Sequence, residues 1–491
     1  MKSKILFNLI GLSLVLFSCQ KTNSHVPSTG FLSTATKDIV VDSNSIALST
    51  AIQIGRGFLQ SRNKHDSIIV QTAETITDRS GAPYMHIINA VNGGFVVLSA
   101  ISNYHAILAY SDKNHFSTSN PAPGILMFLN RHAMNIGQIR NGQINLPDSE
   151  ANNFRKTWAG LAHHYGVPRT FAPPALVHPP SNVEIDVLPP PAPTYVIDGY
   201  PTVHVEQGPY CTTKWDQGYP FNADCPIDGT SIYKNPATGI GYDLAGCGPL
   251  ALAQIMYFWQ SPASYNTSTY NWGGMNINNG SADASRLITD IGSAPVYPAT
   301  GGTTWAGYGP TATTTDDTYA PEVLAMFGYP SVSRSETISD QILSGGKNGV
   351  SYQNLLFNEV YVNNRPCMIT GSSGQNDILG VYVPFEGSGR HSWVCDGIDL
   401  WLYEEEITWT DYKSPSQGGG IASTSTETLI LSSAYYFSMN WGENGGLGNG
   451  FYINPSTNIP SYSATTGYST SPSDKLNYQY FQTIVYNIFP G

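Results

Sequence analysis

The sequence predicts an α+β protein built as two folded units, and three observations carry that prediction. Apolar residues recur at helical spacing in some stretches, short apolar runs flanked by turn residues stand in others, and one proline-rich stretch divides the chain. The composition agrees. At 491 residues the chain exceeds one small domain; 41% of it is apolar, and 48 Gly, 33 Pro and 30 Tyr suit strands and tight turns rather than a disordered chain. Only 12% of the residues are charged, and 23 Lys and Arg against 35 Asp and Glu leave a net charge of −12. No basic stripe is available to neutralise phosphates, so nucleic acid is not an expected partner.

The chain opens with Lys2 and Lys4 ahead of an apolar run from Ile5 to Phe17, which is too short to span a bilayer and reads as a secretion signal. Where a small-residue cleavage site is expected stands Leu16-Phe17-Ser18-Cys19, which resembles a bacterial lipobox. Residues 1–19 are therefore read as a signal peptide with Cys19 as the lipidated residue. The mature protein is expected at the bacterial cell envelope, on the periplasmic face or cell surface, or secreted after processing, and to touch the membrane only through a lipid anchor. Export permits disulfides. Setting Cys19 aside leaves Cys211, Cys225, Cys247, Cys367 and Cys395, an odd number, so at least one free thiol is expected unless it pairs between chains, and a free thiol outside the cell is a candidate nucleophile. Cys211 and Cys225 are near enough in sequence to pair, whereas Cys367 and Cys395 read as buried strand thiols.

Along the N-terminal unit, Ala47, Ala51, Ile54 and Phe58 recur at helical spacing behind Ser45, a possible N-cap, which predicts a helix from Ser45 to Leu59. Tyr84 to Ala90 and Phe95 to Ser99 flank Asn92-Gly93-Gly94 and predict a β-hairpin, followed by a strand from Ala106 to Tyr110. Two further helices are predicted, from Ile125 to Arg140 and from Ser149 to Tyr165. All these stripes read as core packing. Nine prolines then fall in the 29 residues from Pro173 to Pro201, a stretch that should be extended and exposed. The expected units are thus 20–172, a connector over 173–204, and 205–491.

The strongest chemical signal is Ala245-Gly246-Cys247-Gly248-Pro249, followed by about ten helix-compatible and mostly apolar residues up to Trp259. This puts Cys247 at the N-terminus of a buried helix, where the partial positive charge of the helix end favours the thiolate. A thiolate nucleophile needs an imidazole beside it, and the imidazole needs an orienting group. His391 opens the strand-like run to Gly397 and lies 144 residues after Cys247, inside the interval of about 130–150 known for papain-like enzymes. After the strand Tyr435 to Met439 comes Asn440-Trp441-Gly442, whose amide can accept the histidine N–H and whose indole can shield that bond. The side chain of Gln217 can supply an oxyanion donor beside the main-chain N–H of Cys247.

Four blocks in this order resemble the streptopain family of papain-like bacterial cysteine peptidases: Trp215-Asp216-Gln217 to Asn222 with Cys225-Pro226; Gly246-Cys247 with Ala253-Gln254-Ile255-Met256; His391 to Gly397; and Asn440-Trp441-Gly442 with Gly445-Gly446. Gly93 to Ser99 and Ile107 to Ser111 likewise resemble the inhibitory pro-domain of these zymogens. The resemblance implies a papain-like fold, with a helical half and an antiparallel β half, preceded by a small α+β pro-domain. It implies Cys247 as nucleophile, His391 as base and acid, Asn440 as orienter, Gln217 as oxyanion donor and Trp441 as shield, with no metal or cofactor. The expected product is an endopeptidase made as a zymogen, acting on protein or peptide substrates, inhibited by its own pro-domain, and monomeric.

Two departures stand out. The interval from His391 to Asn440 is 49 residues, longer than the family norm; it contains Glu404-Glu405-Glu406 and the Gly/Ser/Thr-rich stretch from Ser414 to Thr428, and reads as an inserted hairpin or loop. The position where the family often carries a second Trp is Glu443. The rival classes are a glycan-binding or glycan-degrading exported lipoprotein and a catalytically silent binding module. A glycosidase needs two carboxylates about 5–10 Å apart, whereas Asp316-Asp317 and Glu404 to Glu406 read as solvated loop charge. No Gly-x-Ser-x-Gly or His-Glu-x-x-His is present to anchor a serine hydrolase or zincin, and His163-His164 read as surface residues. Gly307-Tyr308-Gly309 is a candidate groove wall.

Overall fold

The structure is a computed structural model that describes residues 18–20, 44–62, 67–78, 80–119, 121–167, 194–196, 203–296, 303–336, 352–372, 375–378, 381–384, 390–412, 421–453 and 483–491. The apolar run of the signal and most of the proline-rich connector lie outside these residues.

In the N-terminal unit four strands, Val70–Thr77, Pro83–Ala90, Phe95–Ser99 and Ile107–Ser111, form an antiparallel meander. The expected hairpin closes at Gly93 and Gly94, which take φ of 93° and 100°; a Cβ on Gly93 would lie 2.4 Å from the carbonyl of Lys113. The first helix runs from Leu48 to Arg62 and lays Gly55 against Val96 and Ile88. It begins three residues later than expected because Ser45 is bridged to Ile101 and the Ile46 N–H donates to the carbonyl of Ala100, so that segment is spent on the sheet. Helices Pro123–Arg140 and Asp148–His164 follow at the expected places. Strand Val70–Thr77 was not visible in the sequence. It is the outermost strand, and its Gln, Thr and Glu side chains suit an edge rather than an apolar run.

The C-terminal unit divides into a helical half and a β half. The helix Cys247–Trp259 packs with Ala282–Gly292 in one apolar core, whereas the strands Cys367–Ser372, Arg390–Tyr412, Ile421–Asn440, Gly450–Ile453 and Thr483–Tyr486 form the antiparallel sheet. Strand alternation joins the halves: Met368, Val394 and Val485 face the core of the Cys247 helix, while Ile369, Trp393 and Ile484 face the opposite core. The stretch expected as an inserted hairpin or loop continues the two long strands, pairing Glu404 to Tyr412 with Ile430 to Ile421 as an extended hairpin.

The two units share one sheet. Edge strand Ile107–Ser111 pairs antiparallel with Gly450–Ile453, setting Tyr110 opposite Phe451 and Ala109 opposite Tyr452. The N-terminal core is also continuous with the β-half core, since Tyr110 stacks on Phe451 at 5.3 Å and lies 5.5 Å from Tyr436. Inside this apolar contact sits one carboxylate. Asp399 accepts from Trp401 Nε1 at 2.7 Å, from Arg62 at 3.1 Å and from the hydroxyl of Tyr110, and His204 Nδ1 lies 3.6 Å from its other oxygen. Arg62 also bonds Glu206. Burial pushes the Asp399 carboxyl up, but His204, the Arg62 charge and the Tyr110 hydroxyl outweigh it and hold the group below the ordinary value.

Removing one partner of a buried ion pair strands the other charge, at a cost of about 3–5 kcal/mol. Arg62→Ala is therefore expected to loosen the N-terminal unit from the rest. In chemical denaturation it should unfold at lower denaturant than in the parent chain, and limited proteolysis should cut within residues 44–167 first; unchanged behaviour in both would show that the junction does not depend on this pair.

Candidate active site

Gly246 carries φ of 88° and ends the segment that leads into the helix, and a Cβ there would lie 2.8 Å from Thr313. Glycine is thus required both by the backbone and by the close approach. Thr313 Oγ1 donates to the carbonyl of Leu244 at 2.6 Å, and the Leu244 N–H donates to the carbonyl of Gly309 at 3.0 Å. The candidate wall Gly307-Tyr308-Gly309 therefore abuts the segment that delivers Cys247. Cys247 is buried at the first position of its helix, where unpaired N–H groups accumulate positive potential.

Free thiols are present as expected, but Cys247 is not among them. Cys247 is disulfide-bonded in this structure, and the free thiols are Cys211, Cys225, Cys367 and Cys395, all buried. The odd-count argument pointed to the nucleophile as the thiol left over, and the structure does not divide the cysteines that way. The suggested pair Cys211 and Cys225 is unbonded: Cys211 Sγ faces the carbonyl of Gln254 and Cys225 Sγ the hydroxyl of Thr289. Burial pushes the Cys225 thiol up to about 12 and raises Cys211 well above its ordinary value, while Cys367 is raised by its hydrogen bond with Cys395 and by burial. Those three are un-ionised near neutrality and make poor nucleophiles. The backbone of Ser18–Gln20 pairs antiparallel with Ala312–Thr314, placing Cys19 opposite Thr313.

The remaining expected residues meet at the corner that follows strand Ile421–Asn440. The main-chain carbonyl of Trp441 accepts from His391 Nε2 at 2.9 Å. Gly442, at φ of 65°, packs on Leu250 and Gln254 of the Cys247 helix. Glu443 Oε1 accepts from Gln217 Nε2 at 2.5 Å, and the carbonyl of Gln217 in turn accepts the N–H of Ala245, two residues before Cys247, at 2.9 Å. Trp441, Gly442 and Glu443 thus touch the histidine, the cysteine helix and the glutamine in succession. Gln217, His391, Asn440, Trp441 and Glu443 are all buried. Burial pushes the His391 imidazole down to about 4, against a small upward pull from the Trp441 carbonyl.

Asn440 is placed otherwise than expected. Its Nδ2 donates to the carbonyl of Thr213 at 2.7 Å and its Oδ1 accepts the N–H of Gly442 at 3.2 Å, so the amide is used within the corner, and the histidine ring is held by the next residue's carbonyl. A main-chain acceptor cannot be recognised from residue identity, which is why the sequence pointed to the side chain. Trp441 lies beside Trp393 at 5.2 Å and edge-on to Tyr452 at 5.1 Å, and on its other side meets the N-terminal unit: a Cβ on Gly124 would lie 2.1 Å from the Trp441 ring. Helix Pro123–Arg140 therefore rests directly on the indole, and Ile125 fills the space over Gly448.

Asp396 lies inside the run from His391 to Gly397, and the sequence assigns it no role. Its Oδ2 accepts the N–H of Cys211 at 2.9 Å, and burial raises the group to about 7 against the hydrogen bonds of Ser438 and main-chain N–H groups. It fixes the segment that leads to Trp215 and Gln217 onto the histidine strand. An acid inside an otherwise apolar strand run was the available signal.

A model of the Spi protease inhibitors matches residues 43–136, and a model of the peptidase C10 family matches residues 215–452. Among curated proteins no sequence matches. Similar solved structures include a fragment of prointerpain A from Prevotella intermedia with a cysteine-to-alanine substitution, at 15% identity and a TM-score of 0.41, covering 86% of this chain and 100% of that one. Another is active wild-type interpain A of the same organism, at 17% identity and a TM-score of 0.35, covering 58% of this chain and 95% of that one. Gln217, Cys247, His391, Asn440 and Trp441 all fall inside the peptidase match, and Gly124 and Tyr110 inside the inhibitor match. Through residues 215–452 the chain belongs to the peptidase C10 or streptopain family of cysteine-type peptidases, and it carries a Spi-type inhibitor unit ahead of that domain.

Proposed function

We propose that the chain is an exported cysteine endopeptidase zymogen, anchored through Cys19, whose catalytic pair is Cys247 and His391. The observation that carries the reading is the corner at Trp441 to Glu443, which ties the histidine, the cysteine helix and Gln217 together through three separate contacts. In the reduced enzyme the Cys247 thiolate attacks the peptide carbonyl, and the oxyanion is held by the Cys247 N–H and the side-chain N–H of Gln217. His391, whose Nε2–H is fixed on the Trp441 carbonyl, presents Nδ1 to take the thiol proton and deliver it to the leaving amine; water then cleaves the thioester.

Burial keeps the His391 ring neutral at pH 7 in the closed chain, which opposes the thiolate–imidazolium pair. A histidine whose value is depressed when closed stabilises that form fully above about 6.5, its ordinary value, and ceases to do so as pH falls toward about 4. Opening is therefore linked to proton uptake. The N-terminal unit inhibits by resting on Trp441 until the connector, at 173–204, is cut, and the tether keeps its local concentration high. Active enzyme cuts other precursors in trans. The cleaved enzyme is a monomer acting on peptide or protein substrates.

Four outcomes are expected under reducing conditions. Cys247→Ala abolishes hydrolysis of a casein substrate and labelling by an epoxide thiol inhibitor. His391→Ala removes nearly all activity, whereas Asn440→Ala, which disturbs the corner without removing the proton donor, leaves a measurable rate; equal losses in two folded variants would contradict this ranking. Gly124→Leu, which has no room against Trp441, raises the activity of the uncut chain toward that of the cleaved enzyme, and no rise would place the inhibitory contact elsewhere. Nuclear magnetic resonance of the intact Cys247→Ala chain should show the His391 ring titrating near pH 4 and moving upward once residues 20–172 are removed.

A further inference from the structure

We infer that Glu443 is a positioning residue for the oxyanion hole: its carboxylate decides which end of the Gln217 amide faces the reacting carbonyl. The inference rests on the reading of Gln217 as oxyanion donor and deepens it. Nothing in the four sequence blocks assigns Glu443 a role; it stands where a second tryptophan is often found.

The amide of Gln217 has two chemically opposite ends, a donor NH2 and an acceptor oxygen of nearly equal size. Rotation by half a turn exchanges them with little change in packing, and an oxygen facing the developing oxyanion would repel it. The backbone of Gln217 is fixed by the N–H of Ala245, but that bond leaves the side-chain amide free to turn. What settles it is the buried carboxylate of Glu443, which only accepts when ionised and which accepts from Nε2 at 2.5 Å. One N–H is thereby taken by the carboxylate and the second is left for the oxyanion. Oε1 of Gln217 has no hydrogen-bond partner among the described residues, so no competing donor holds the amide in the other sense. A tryptophan at this position has no acceptor and does not bias the amide. Glu443 itself is placed by the corner: Gly442 turns the chain at φ of 65°, and Trp441, two residues before Glu443, carries the carbonyl that holds His391. One tripeptide therefore orients both the base and the oxyanion donor.

The carboxylate also brings negative charge toward a forming anion, which opposes catalysis. The orienting effect wins because a correctly aimed donor changes kcat by about 10²–10³, whereas an amide turned the wrong way loses that donor and adds repulsion.

The test uses the cleaved, reduced enzyme and a peptide substrate, with Glu443→Gln, Gln217→Ala and the double variant. Glu443→Gln keeps the volume but pairs with Gln217 in either sense. It is expected to lower kcat by about tenfold or more with KM within about twofold, and to cause no further loss when Gln217 is already Ala, because its whole effect passes through that amide. Should Glu443→Gln fail to fold, Glu443→Leu carries the same expectation. Unchanged kcat, a loss confined to KM, an equal further loss in the Gln217→Ala background, or a rise in kcat from relief of the negative charge would each overturn the proposal while Gln217→Ala still shows its own large loss. A Gln217→Ala variant as active as the parent would instead overturn the oxyanion reading on which the proposal rests.

Discussion

The bond from His391 Nε2 to the main-chain carbonyl of Trp441 is the constraint on which the site depends. It fixes the ring by an acceptor that no side-chain substitution can remove, so the orientation of the imidazole is set by the path of the backbone. That path is maintained from several directions. Asn440 bonds Thr213, the Trp441 N–H donates to Asn449 at 2.9 Å, its indole donates to the carbonyl of Gly448 at 3.2 Å, and Gly442 lies on the cysteine helix. A loop so heavily tied links a histidine on the sheet to the helix that begins at Cys247, from opposite halves of the domain.

Much of this was legible in the sequence, and the parts that were not share a cause. Helix Cys247–Trp259 was readable from Gly246, Pro249 and the apolar run that follows, and strand Phe95–Ser99 from its glycine turn and unbroken apolar residues. Those signals are local. Cys247, His391 and Gln217 were singled out because their residue types carry chemistry. The Trp441 carbonyl, Gly124 on the indole and Asp399 beneath Tyr110 were not found, because each acts through a contact between segments hundreds of residues apart or through the backbone alone. Periodicity is silent on both. Strand Val70–Thr77 failed for another reason: edge position removes the apolar alternation by which strands are recognised.

The same corner is also where the N-terminal unit meets the residue that holds the histidine. Trp441 offers its carbonyl to His391 from one side and its ring to helix Pro123–Arg140 from the other. The histidine bonded to that carbonyl is itself buried, and burial lowers its affinity for a proton. The buried Asp399 and Arg62 pair lies at the far end of the same contact and holds the first helix to the sheet.

The shared sheet gives maturation a cost of its own. On the proposed maturation, loss of the N-terminal unit would leave strand Gly450–Ile453 without its neighbour Ile107–Ser111, as an edge with unpaired N–H and carbonyl groups, and would take the Tyr110 ring away from Phe451 and Tyr436. Such an edge is a template on which another extended chain can add itself. In the intact chain strand Ile107–Ser111 covers that edge.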